Sequence, residues 1–88
     1  MKLILDGEKI SSKDELHKLM ESVLDFPEWY GGNLDALYDC LTDLMEEVDI
    51  HLQNAEAFHQ NLGEYADKVL CVLRDAEQAN LNIQISIN

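Results

Sequence analysis

Asp35 and Asp39 stand four residues apart, a spacing that sets two carboxylates one helical turn apart on one face. Paired carboxylates can do acid–base chemistry when their surroundings push their pKa values apart. Glycoside hydrolysis, however, needs two carboxyls flanking a substrate cleft, and neighbours on one exposed helix make no cleft. Both acids are expected to stay ionised, which suits charge recognition better than proton shuttling. His17 and Glu21 have a metal-compatible spacing, but two ligands do not make a site, and His51 and His59 belong to other segments. Cys40 and Cys71 fall on different expected helices without metal-type spacing. The sequence has no glycine-rich phosphate cradle, nucleophile elbow or CxxC pair. It reads as a non-enzyme, with no catalytic residue, metal or cofactor.

The two aspartates belong to a block, residues 29–44, that divides into opposite faces when wound as a helix from Asn33. Leu34, Leu37, Cys40, Leu41 and Leu44 form an apolar stripe. Asp35, Asp39, Thr42, Asp43 and Glu46 recur at the same steps on the far side, with no cation among them. Trp29 and Tyr30 stand in the approach loop and Tyr38 on the helix flank. Taken singly, these residues have ordinary roles. Asn33, Asp35 and the Gly31-Gly32 pair serve helix starts, Trp29 and Tyr30 can staple or lid a core, and Asp39, Asp43 and Glu46 can be a solvated face. Together, an acidic stripe beside aromatics reads as a docking surface for a cationic partner.

Charge supports that reading. The chain has 88 residues and a net charge of −12, and no Lys or Arg lies between Lys18 and Lys68, where twelve Asp and Glu fall. Such a field repels nucleic acid and anionic membranes and speeds encounter with basic proteins. With 47% apolar residues the chain can still fold. Its length suits one domain over residues 1–88. The N-terminal apolar run meets an acid and a glycine too early for a signal peptide, and no run approaches a membrane span. Two cysteines in so small a chain favour reduced thiols and a cytoplasmic location. Cys40 is expected in the core and Cys71 partly exposed.

The elements that must hold the acidic face alternate in type. Residues 3–5 read as a strand stopped by Asp6-Gly7. A capping box from Ser12 to Glu15 opens a first helix with a stripe of Leu16, Leu19, Met20, Val23 and Leu24, ended by Pro27. The acidic helix follows, then a half-buried strand over residues 48–52. Asn54 can cap a short third helix with Ala55 and Phe58. A fourth helix buries Tyr65, Val69, Val72, Leu73 and Ala76 and frays near Asn80. The last strand alternates Leu81, Ile83, Ile85 and Ile87 against Asn82, Gln84 and Ser86. Strands joined by helices imply parallel pairing, and alternation implies one wet sheet face. The expected architecture is α/β, two-layered, with a three-stranded parallel sheet under helices on one face.

The run from Pro27 to Thr42, Pro-Glu-Trp-Tyr-Gly-Gly-Asn-Leu-Asp-Ala-Leu-Tyr-Asp-Cys-Leu-Thr, resembles the signature of the barstar family of intracellular ribonuclease inhibitors. The likeness extends to Val69-Leu70 and Arg74-Asp75-Ala76 in the fourth helix. It implies the same three-stranded parallel fold and an activity as an immunity protein, blocking a basic secreted ribonuclease at its active site before export. By this resemblance Asp39 matches the acid that enters the enzyme's phosphate pocket, and Asp35 a second contacting acid. Tyr30, Asn33 and Thr42 match contact positions, Trp29 and Tyr38 match aromatic positions with exchanged rings, and Asp75 matches an outlying glutamate. Asp43 and Leu44 replace a glycine and a tryptophan of the best-known member, Gly32 replaces an acid, and Leu81 a cysteine. These departures fall on the rim and bear on which nuclease or related cationic toxin is recognised. The residues alone also fit an acidic adaptor or nucleic-acid mimic for another basic partner.

Overall fold

A short apolar run builds β1 (Lys2–Asp6), and alternating apolar and polar residues build β2 (Val48–Gln53) and β3 (Ile83–Ile87). In the computed structural model, which describes residues 1–88, they form one parallel sheet in the order β1-β2-β3. Ile4 pairs with His51, and His51 with Ser86. Parallel neighbours need crossovers. Helices α1 (Lys13–Leu24) and α2 (Leu34–Thr42) make the first, and α3 (Ala55–Leu62) and α4 (Glu64–Ala79) the second.

Leu3, Leu5, Val48, Ile50, Leu52, Ile83 and Ile85 are buried on one sheet face, whereas Lys2, Ile4, Asp49, Gln53, Gln84 and Ser86 are exposed on the other. The buried face shares a core with Leu16 and Met20 of α1, Leu37 and Leu41 of α2, Phe58 of α3, and Val69 and Leu73 of α4. The fold is therefore two-layered, with a wet sheet face, as the patterning predicts. No helix is long and apolar enough to cross a membrane.

Several boundaries differ from the sequence expectation, each for a local reason. The capping box of α1 is half formed. Ser12 Oγ accepts from the Glu15 N–H at 3.2 Å, but the Glu15 carboxylate takes the Ser11 hydroxyl instead of the backbone. The helix stops at Leu24, before the proline acts, because Asp25 turns left-handed (φ 54°). Asn54 does not cap α3 with its side chain. It too is left-handed, and its amide donates to the Asp6 carboxylate at 2.9 Å. Gly7 is required beside it, since a Cβ there would lie 2.3 Å from the Asn54 carbonyl oxygen. Leu81 is not part of β3; it stands 95% exposed in the preceding turn. Asn80, expected to fray, is buried and ends α4 firmly.

Candidate functional site

The loop before α2 is anchored from beneath. Tyr30 is buried, its ring centroid 4.9 Å from that of Phe26. Its hydroxyl bonds His17 Nδ1, and His17 Nε2 bonds the Tyr65 hydroxyl at 2.5 Å. One imidazole thus ties α1, the loop and α4 together, donating through one nitrogen and accepting through the other. Burial lowers the His17 pKa, opposed by Asp14 and reinforced by Lys13. Burial raises both tyrosines above the ordinary phenol value, Tyr30 strongly, with the neighbouring Cys40, Tyr65 and Glu21 adding to the effect there and Asp14 adding to it at Tyr65. All three are neutral near pH 7, as a desolvated hydrogen-bonded trio requires.

After this anchor Gly32 adopts φ +66°, a conformation side chains resist. Asn33 is then extended, and its Oδ1 accepts from the Ala36 N–H at 2.8 Å. This cap starts α2 and places Asp35 in its first turn, where the helix dipole favours a carboxylate. Leu37, Cys40 and Leu41 are buried, and Asp35, Tyr38 and Asp39 are exposed. The Thr42 hydroxyl turns inward along the helix, donating to the carbonyls of Tyr38 and Asp39 at 2.9 and 3.1 Å. Its oxygen remains an acceptor, but its proton is engaged locally.

The far end of α2 is held by a residue that sequence reasoning missed. Asn80 Nδ2 donates to the Leu41 and Leu44 carbonyls at 3.0 and 2.9 Å, and lies 3.4 Å from that of Thr42. Its Oδ1 accepts from the Asn82 N–H at 3.0 Å. A helix C-terminus leaves carbonyls without partners, and here an asparagine from the α4–β3 turn supplies them. Asp43 is the C-cap of α2. Leu44 is half-buried beyond it, and Glu46 lies outside the helix, which shortens the acidic stripe expected from spacing.

The electrostatics of α2 run against its own stability at one end. Its last turn holds no basic residue, so Asp39 and Asp43 face the negative pole of the dipole, at a cost of about 0.3–1 kcal/mol each. The only contacts at ion-pair distance in the molecule are Arg74–Glu77 and His59–Asp67, the second an ion pair only when the histidine is protonated. None of the α2 carboxylates is therefore neutralised within the chain. Lys13 of α1 does line the same shallow hollow as Asn33 and Asp35, without reaching ion-pair distance.

Trp29 is 62% exposed, and it shares a groove with Asp43 and Leu44. Asp75 is exposed on α4, which packs against α2. Of the sequence-selected residues, Tyr30 differs most in setting, since its ring and hydroxyl are taken up inside. His17 could have been found from its place at the i, i+3, i+7 steps with Met20 and Leu24, a polar residue within an apolar stripe. Its two nitrogens are both engaged by tyrosines, which accounts for a spacing that otherwise suggests a metal ligand. Asn80 carries no comparable signal.

The family model described as "Barstar (barnase inhibitor)" matches residues 1–88. A Bacillus subtilis (strain 168) protein named "Putative ribonuclease inhibitor YrdF" is 42% identical over 78 residues, covering 88% of this chain and 86% of that protein. With a match over its whole length and a relative this similar, the chain belongs to the Barstar family.

Proposed function

We propose that this chain inhibits a basic, barnase-like ribonuclease by laying the acidic face of α2 and the loop before it over the enzyme's cationic active site. The observation that carries the reading is the set of exposed, unpaired carboxylates on α2, two of which, Asp39 and Asp43, are kept against the helix dipole. A ribonuclease site attracts a polyanion, and carboxylates fixed on a rigid helix can occupy phosphate positions without being cleavable. The His17 and Asn80 anchors hold both ends of that helix, so little ordering entropy is lost on docking. In this reading Asp39 enters the phosphate pocket, Asp35 meets a second cation, and Trp29, Tyr38 and Leu44 supply apolar contact. Asn33, Thr42, Asp43 and Asp75 line the rim, and Tyr30 supports the loop from beneath. The chain is an inhibitor rather than an enzyme and needs no cofactor. It acts in the cytoplasm, before the nuclease is exported.

The test is titration of barnase activity on an RNA substrate with the purified chain. The expected result is loss of activity reaching completion near one equivalent. Full activity in the presence of a large excess of the chain would sink the proposal.

A further inference from the structure

Beyond the acidic face lies a groove between the α1–α2 loop and the end of α2. Leu24, Phe26 and Cys40 make its floor, all buried, and Trp29 and Leu44 its walls. Its volume is about 180 Å³, below the roughly 300–1,000 Å³ of small-molecule sites and suited to one inserted side chain. Asp25 and Asp43 stand at its rim, both exposed. The same two acids also line an adjoining hollow with Met45 and Glu46, so the trough continues as one acidic and apolar surface. No Lys or Arg lines either hollow; Met1 lines the second, its α-ammonium donating to the Glu47 carbonyl at 3.0 Å.

We propose that this groove is an arginine-accepting subsite, filled by one guanidinium side chain of the same cationic ribonuclease that docks on Asp35 and Asp39. The inference rests on the proposed inhibitor function and adds a specificity pocket to it. Charge selects the occupant. An apolar plug would desolvate two carboxylates and return nothing to them. A second copy of this chain, at net charge −12, would bring more carboxylates to an acidic rim. An arginine satisfies every wall: its stem lies on Leu24 and Leu44, its planar cation stacks on the Trp29 ring, and its fork of donors meets the rim carboxylates. The Cys40 thiol is raised in pKa by burial and by Asp43 and Asp39, so the floor stays uncharged.

The experiment measures barnase binding to the wild-type chain, Asp25→Asn, Trp29→Ala and Asp39→Ala, with unfolding midpoints for each. Asn tolerates the left-handed backbone of Asp25, and Trp29 is mostly exposed, so both variants keep the fold. The expected result is about three- to tenfold weaker binding for Asp25→Asn and about three- to thirtyfold for Trp29→Ala. Tighter binding of Asp25→Asn would mean an apolar occupant and overturn the arginine assignment. Wild-type affinity in both groove variants, with Asp39→Ala impaired, would overturn the subsite and leave the inhibitor reading standing. No binding by the wild-type chain would remove that reading and this inference with it.

Discussion

Replacing Asn80 by Ala should unlock the end of the acidic helix, and the size of the effect can be worked from the geometry. The Asn80 amide makes two good donor contacts, at 3.0 Å to Leu41 O and 2.9 Å to Leu44 O, and its side chain is almost wholly buried. Each such bond contributes about 1 kcal/mol net, and more when the abandoned carbonyl cannot reach water. The loss of the Oδ1 contact to the Asn82 N–H adds to this. The sum is about 2–4 kcal/mol. A chain of this length has a total stability of about 4–13 kcal/mol, so the change removes a large share. At about 4–8 °C per kcal/mol for a domain this size, the midpoint of thermal unfolding should fall by at least about 8 °C. Circular dichroism melts of Asn80→Ala against Leu81→Ala test this directly. Leu81 is the adjacent residue and 95% exposed, so its truncation should be nearly silent. Equal midpoints for the two variants would refute the anchoring role of Asn80.

Three further outcomes follow from the same structure. Asp43→Asn removes a carboxylate from the negative end of α2 and its repulsion with Asp39, so urea unfolding should show a gain of about 0.3–1 kcal/mol; a loss of that size would contradict the dipole argument. Because the His17 pKa in the fold lies below the ordinary 6.5, the unfolded chain takes up a proton first. Stability should be full above about pH 6.5 and decline as pH falls through the lower, folded value, and His17→Gln should flatten that decline above the carboxylate range near pH ~4. An identical slope in the variant would place the titration elsewhere. Association with barnase should slow markedly between low and high salt while dissociation changes far less; a flat association rate would remove charge steering from the account.

The strands and the buried face of α2 were legible because they are periodic. Ile83 and Ile85 against Gln84 and Ser86 specify which sheet face is wet, and Leu37, Cys40 and Leu41 specify which side of the helix turns inward. Periodicity is a local signal, and the residues it missed act over long sequence separations. His17 meets Tyr65 across 48 positions and Asn80 meets Leu41 across 39. A polar side chain joined to a distant partner looks, from its neighbours alone, like a surface residue or a stray ligand. The same limit explains Glu46, which the helical spacing assigned to the acidic face although α2 ends at Thr42. It explains Leu81 as well, where alternation runs on past a strand that begins at Ile83. The acidic character of the site was visible in composition. Its two anchors were not.

The central claim is that a carboxylate on α2 enters the cationic site of a ribonuclease, and Asp39 carries most of that claim. The most direct measurement is the inhibition constant of Asp39→Ala against barnase beside that of the wild-type chain, with unfolding midpoints as a control for the fold. Removing one partner of a desolvated charge pair costs about 3–5 kcal/mol, so inhibition should weaken by about two to four decades with the midpoint unchanged or slightly raised. Inhibition by Asp39→Ala equal to that of the wild-type chain would contradict the account.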